Sequence, residues 1–178
     1  MSILDTKLSQ TVEYLKANWY EPRTGIVAAC LFDRERDISV FATSSFVKDQ
    51  NRWRHAEFNA MREFKDKFGH PSSNSVMIVT LSPCIQKTSS SRLGSPCAQV
   101  LIDNGIYRIH FGNLDTKQGE MKTYEDLGFR ATQSNQSELV VACDNIAGLF
   151  KEYGHMRLGD GNPWPDIKKI IGHSVFKR

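Results

Sequence analysis

Hydrophobic positions along the chain change their period several times, and each change marks an element. Between residues 5 and 18, Leu8, Val12 and Leu15 recur at helical spacing and predict a short amphipathic helix. Residues 26–32 (IVAACLF) and 37–44 (DISVFATS) are β-rich runs on either side of the charged turn DRER, which predicts a hairpin. Helical spacing returns from Arg54 to Phe68, where Phe58, Met61, Phe64 and Phe68 fall on one side until Gly69, His70 and Pro71 end the run. SVMIVTL at 75–81 is nearly unbroken apolar sequence, as expected of a central strand covered on both faces.

A polar loop follows, and Pro96 to Asn104 predicts a helix with proline near its first turn and Gly105 as its stop. IYRIHFG at 106–112 predicts the next strand. Residues 119–127 read as helical, Phe129 to Thr132 and Glu138 to Cys143 as extended, and Asp144 to Tyr153 as helical again. GDGNPWP at 159–165 is rich in breakers and leads into the basic stretch DIKKII. The alternation predicts a three-layer α/β/α sandwich around a mixed sheet of about five strands. No linker separates two domains, so we assign one domain to residues 1–155 and a C-terminal extension to 156–178.

Composition narrows the class. A chain of 178 residues with 40% hydrophobic and 24% charged residues has the balance of a single folded domain. The longest strictly apolar run is seven residues, Ile26 to Phe32, well short of the roughly 18 that cross a bilayer. MSILDTKLSQ lacks the apolar core of a signal peptide, so the expected location is intracellular and cytoplasmic. A net charge of +3 is only mildly basic and neither requires nor excludes nucleic acid. Four cysteines are too few for a disulfide scaffold of this length, and paired cysteines in a reducing compartment are more often metal ligands or catalytic groups.

Three short pieces carry that chemistry. His55-Ala56-Glu57 opens the second predicted helix, Ser82-Pro83-Cys84 follows the central strand, and Ser95-Pro96-Cys97 opens the next helix. Ligands gather at the carboxyl ends of strands and amino ends of helices in such sheets, where all three pieces fall. One imidazole and two thiolates give three ligands for Zn²⁺ and leave a fourth tetrahedral position open, the catalytic arrangement. Zinc with two thiolates is formally neutral and acidifies water less than a site with neutral ligands, so a carboxylate beside it is needed to move the proton. Glu57, on the same helical turn as His55, is the candidate. Cys30 and Cys143 lie in apolar runs and read as core residues. His110 reads as packed in a strand, and His70, His155 and His173 lack ligand spacing. Arg52, Trp53 and Arg54 read equally as a phosphate grip with a stacking ring and as a surface loop, while Asn59 is expected to brace its helix.

This pattern resembles the zinc-dependent cytidine/deoxycytidylate deaminase superfamily across residues 5 to 150. HAEFNA at 55–60 is similar to its metal-and-glutamate helix, TLSPC at 80–84 to the segment delivering the first cysteine, and PCAQVLIDNGIYRIHFG at 96–112 to the stretch beginning at the second. Twelve residues stand between Cys84 and Cys97 where the family usually has two. That longer gap, with FGNLDTKQGE at 111–120 and YEDLGFRA at 124–131, resembles the pyrimidine deaminases of riboflavin biosynthesis. FGNLDTKQG is also similar to tRNA adenosine deaminases, which keep the short gap. The chain departs from the riboflavin branch in lacking its reductase domain, and Thr43, Ser44 and Ser45 stand where its sugar-binding asparagine motif would be.

The resemblance implies a cytidine-deaminase-like fold and hydrolytic deamination with zinc as cofactor. His55, Cys84 and Cys97 would hold the metal and Glu57 would shuttle the proton. The Ala56 amide and the Ser82 carbonyl would contact the substrate ring, with Thr43 beside them. Lys87 and Arg92, in the inserted loop at 85–96, are expected to close over the substrate and hold a phosphate. The preferred substrate is a small aminopyrimidine nucleotide, deoxycytidylate-like or the riboflavin-pathway intermediate. The alternatives are a deaminase of tRNA or single-stranded DNA, and a non-catalytic zinc-stabilised binding module. No membrane partner is expected, and the resemblance implies a homo-oligomer.

Overall fold

The computed structural model describes residues 1–21, 23–47, 52–86 and 94–153, together with Lys168 and Gly172. Helix α1 (Ile3–Asn18) is capped by Ser2, whose hydroxyl accepts from the Asp5 amide. Strands β1 (Thr24–Asp33) and β2 (Ile38–Val47) form the expected antiparallel hairpin, and the three-residue β3 (Arg52–Arg54) pairs antiparallel with β2. Helix α2 (Ala56–Phe68) follows at once, and β4 (Val76–Leu81) is buried at every position. Then come α3 (Cys97–Asp103), β5 (Arg108–Asn113), α4 (Met121–Asp126), β6 (Arg130–Gln133) and α5 (Ser137–Tyr153).

The six strands run in the order β3-β2-β1-β4-β5-β6. Pairing is antiparallel through β1–β4 and parallel for β4–β5 and β5–β6, so β4 is the strand at which the sheet changes sense. On one face, Ala60, Met61 and Phe64 of α2, Leu101 of α3 and Tyr124 of α4 pack on Leu31, Val40, Met77 and Phe111. On the other, Leu8, Val12, Leu15 and Trp19 from α1's side join Cys143, Ile146 and Leu149 of α5 over Cys30 and Ile78. The result is the expected α/β/α sandwich with six strands, the short β3 being the addition.

One expected element is overturned. Residues 138–143 are helical, not extended, and continue into α5 without a break. Leu139, Cys143, Ile146 and Phe150 recur at helical spacing and pack on the sheet, and that tertiary contact overrides the β propensity of the two valines. Gly112 of β5 is where the helix comes closest: a Cβ added there would lie 2.1 Å from Cys143 Sγ. Cys30 and Cys143 are both buried core residues, as expected. No helix among the described residues is long and apolar enough to cross a membrane. The tail at 156–178 lies outside the described residues except for Lys168 and Gly172.

Candidate metal centre

His55 is the residue immediately before α2, in extended conformation, so its ring projects from the end of β3 rather than from the helix barrel. Cys84 lies three residues past β4, and Cys97 is the first residue of α3. Neither N-cap residue, His55 before α2 or Pro96 before α3, caps its helix through its side chain, which leaves first-turn N–H groups for other partners. The Cys97 amide donates to Cys84 Sγ at 3.2 Å, and the Ala98 amide to the Cys84 carbonyl at 3.1 Å, so the second cysteine's helix directly seats the first cysteine.

His55 Nδ1 lies 3.6 Å from Cys84 Sγ and 3.2 Å from Cys97 Sγ. Nitrogen and sulfur ligands of a tetrahedral zinc stand roughly 3.5 Å apart, given bonds of about 2.0 and 2.3 Å. The three ligand atoms all lie within 4.8 Å of one another, so the donor set fits zinc in both softness and spacing. The Cys97 thiol bonds to the Cys84 sulfur and, against the effect of burial, holds Cys84 well below the ordinary thiol range, with His55 adding to the effect. Cys97, bonded to Cys84, is pushed the other way, and its burial adds to that shift.

Glu57, the second residue of α2, is 3% exposed and its Oε2 has no hydrogen-bond partner among the described residues. Burial raises its carboxyl above the ordinary range, and the facing His55 opposes that shift. Ala56 is wholly buried at the first position of the same helix. Ser82 is held at the end of β4 by its amide, which donates to the Asn113 carbonyl at 2.8 Å, and by its hydroxyl, which accepts from the Asp115 amide at 2.9 Å. Thr43 reaches α2 through its carbonyl, which accepts from Asn59 Nδ2 at 2.8 Å, while Ser45 Oγ takes the same amide at 2.9 Å. Asn59 therefore braces the metal-site helix on β2, as expected. Lys87 and Arg92 fall outside the described residues.

The segment before His55 is a strand and not a loop. Trp53 packs partly buried beside the α1-side core, 5.4 Å from the Phe46 ring, and the Arg54 guanidinium sits 5.6 Å over Phe58. Sequence reasoning missed two contributors near Cys84. Tyr124 donates to the Pro83 carbonyl at 2.7 Å, and Gln118 Oε1 accepts from the amides of Ile85 at 3.1 Å and Gln86 at 3.3 Å. Both lie more than thirty positions away, and their places in the resemblance segments at 111–120 and 124–131 are the signal that could have found them.

Among solved structures, the chain resembles a bifunctional diaminohydroxyphosphoribosylaminopyrimidine deaminase/5-amino-6-(5-phosphoribosylamino)uracil reductase from Thermotoga maritima. The TM-score is 0.58 at 19% identity, covering 84% of this chain and 41% of that one. The chain thus spans about two fifths of that enzyme's length. A dCMP deaminase from the cyanophage S-TIM5, in complex with dCMP and dUMP, aligns with TM-score 0.56 at 13% identity, over 75% of this chain and 99% of that one. A mutant protein in complex with 8-azaguanine aligns with TM-score 0.57 at 18% identity, over 85% of this chain and 84% of that one. No curated protein matches the sequence. The model of the cytidine and deoxycytidylate deaminase zinc-binding region matches residues 3–113, more than half of the chain and inclusive of every residue of the His55–Cys84–Cys97 centre, and the chain belongs to that family.

Proposed function

We propose that this chain is a zinc-dependent hydrolytic deaminase releasing ammonia from a small aminopyrimidine nucleotide. The observation that carries the reading is the buried carboxylate of Glu57, one oxygen of which has no partner among the described residues, beside a three-donor centre. A structural zinc site closes its tetrahedron with a fourth side chain and has no use for a proton carrier. Zinc held by His55, Cys84 and Cys97 supplies Lewis acidity that makes water available as a nucleophile near neutral pH. Glu57 takes a proton at Oε2 from the attacking water and gives it to the departing amino group. The Ala56 amide at the start of α2 donates to a ring carbonyl, and the Ser82 carbonyl accepts from the amino group. Both are main-chain groups, one in the first turn of α2 and the other held just past β4 by the Ser82 bonds to Asn113 and Asp115. Thr43, whose carbonyl meets Asn59 of α2, completes the proposed substrate contacts, and Lys87 and Arg92 carry the charge for a phosphate.

The choice of a small nucleotide is supported by the modest charge of +3 and by the long gap between the cysteines. The names of two structural neighbours, one acting on a phosphoribosylaminopyrimidine and one on dCMP, point the same way. Self-association is part of the same proposal. Ammonia release by the zinc-loaded protein, measured on free cytosine, adenine and guanine nucleotides, the phosphoribosylaminopyrimidine and single-stranded oligonucleotides, tests the reading. Turnover is expected on an aminopyrimidine nucleotide. Turnover confined to oligonucleotides, with binding that weakens steeply with salt, would replace it with a polynucleotide deaminase.

A further inference from the structure

The inserted chain between the cysteines creates a mechanical problem. With twelve residues between Cys84 and Cys97, covalent connection does little to fix one ligand relative to the other, since a longer loop leaves more conformations to be lost on closure. The start of α3 meets only Cys84 itself, through the Cys97 and Ala98 amides, so the residues on either side of that ligand need support of their own.

We propose that Tyr124 and Gln118 are positioning residues that splint the Cys84 arm from both sides and so set zinc retention. Tyr124 Oη donates to the carbonyl of Pro83, the residue before the ligand, at 2.7 Å, and its ring is locked between Phe111 at 5.9 Å and Phe129 at 6.5 Å. Gln118 Oε1 takes the amides of the two residues after the ligand, Ile85 and Gln86. The Asp115 amide on the Ser82 hydroxyl and the Asn113 carbonyl on the Ser82 amide continue the same seam one turn back. The groups that hold the arm all lie in the stretch 113–124, so the FGNLDTKQGE segment and Tyr124 beyond it brace a ligand they do not touch. Gly119 permits the geometry: its φ of 147° and the 2.7 Å approach of Thr123 Oγ1 to a Cβ placed there leave no room for a side chain between Gln118 and α4.

The inference rests on the metal reading above, and its test reads the metal rather than turnover. Full-length wild type, Tyr124→Phe, Gln118→Ala and Gln118→Glu would be loaded with Zn²⁺ and with Co²⁺. Phenylalanine keeps the ring packing and removes only the donor, while glutamate keeps an acceptor for both amides. Tyr124→Phe and Gln118→Ala should surrender zinc to a chelator about tenfold faster than wild type and shift the Co²⁺ ligand-field absorption. Their metal-free melting temperatures should match metal-free wild type, and Gln118→Glu should release zinc at the wild-type rate. Wild-type release rates and an unshifted spectrum in both variants would overturn the proposal, as would an equal loss of stability with and without metal. Wild type that takes up neither metal would overturn the zinc reading beneath it.

Discussion

A carboxylate buried with an unpartnered oxygen costs a folded chain more than about 1–3 kcal/mol unless it has an occupation. Glu57 has one only if something enters the space it faces, and the three donors that share that space say what. Cys97 is the sharpest residue to test, because it is at once the first residue of α3, the amide donor to Cys84 Sγ and a ligand atom. Cys97→Ser keeps the helix start and its amide but replaces a soft thiolate with a neutral hydroxyl. Chelator competition should show zinc affinity falling by more than about tenfold; unchanged affinity would remove Cys97 from the centre. These residues were legible in the sequence because the chemistry restricts them to His, Cys and Glu and because each stands at an element boundary. Tyr124 and Gln118 were not, since a tyrosine on a short amphipathic helix and a glutamine in a polar turn look the same whether or not they meet a distant loop.

Between the elements, the densest polar junction lies away from the metal. Asp33, at the end of β1, has a fully buried side chain that accepts from the Glu35 and Arg36 amides, from Arg36 Nε, and from both the amide and hydroxyl of Ser72. Arg36 passes the link on to the carbonyls of Phe68 and His70 at the end of α2. In the sequence DRER marks only a hairpin turn, and nothing local reveals that it ties the hairpin to the loop before β4. Burial alone would raise the Asp33 carboxyl, but the bonds from Ser72 and Arg36 outweigh it and hold it far below its ordinary 3.8. The ionised form is therefore the one folding favours, so its contribution is complete above about pH 4 and drains away as pH falls below that. Asp33→Ala should cost about 3 kcal/mol in denaturant unfolding at neutral pH and flatten the acid limb of the stability curve. A variant with the wild-type midpoint and acid limb would refute the junction. The β5–α5 contact makes a second test. Gly112→Ala places a methyl inside the radius of Cys143 Sγ and should cost about 2 kcal/mol by overpacking; no loss would mean the helix stands further off. That same contact explains the misread stretch at 138–143. Two valines after leucine suggest a strand by propensity, and only the sheet beneath them selects the helical period.

Taken as a whole, the molecule is a sheet whose change from antiparallel to parallel pairing at β4 opens a place where one strand end and two helix starts converge. The alternation of periods sufficed to predict that architecture, because strands covered on both faces, such as β4, must be apolar throughout. Three-residue β3 escaped because so short a strand has no period to read; it exists through pairing with β2. The layers bring together a histidine and two cysteines, the cysteines twenty-nine and forty-two positions after the histidine, with the buried Glu57 two residues past that histidine. The central claim is that this convergence is a deaminating centre and not a structural clasp. The most direct measurement is ammonia release from an aminopyrimidine nucleotide by zinc-loaded wild type and zinc-loaded Glu57→Gln, with zinc content assayed in both. The account predicts that wild type releases ammonia while Glu57→Gln, holding equal zinc, falls by about a hundredfold or more. Equal rates in the two proteins would contradict it.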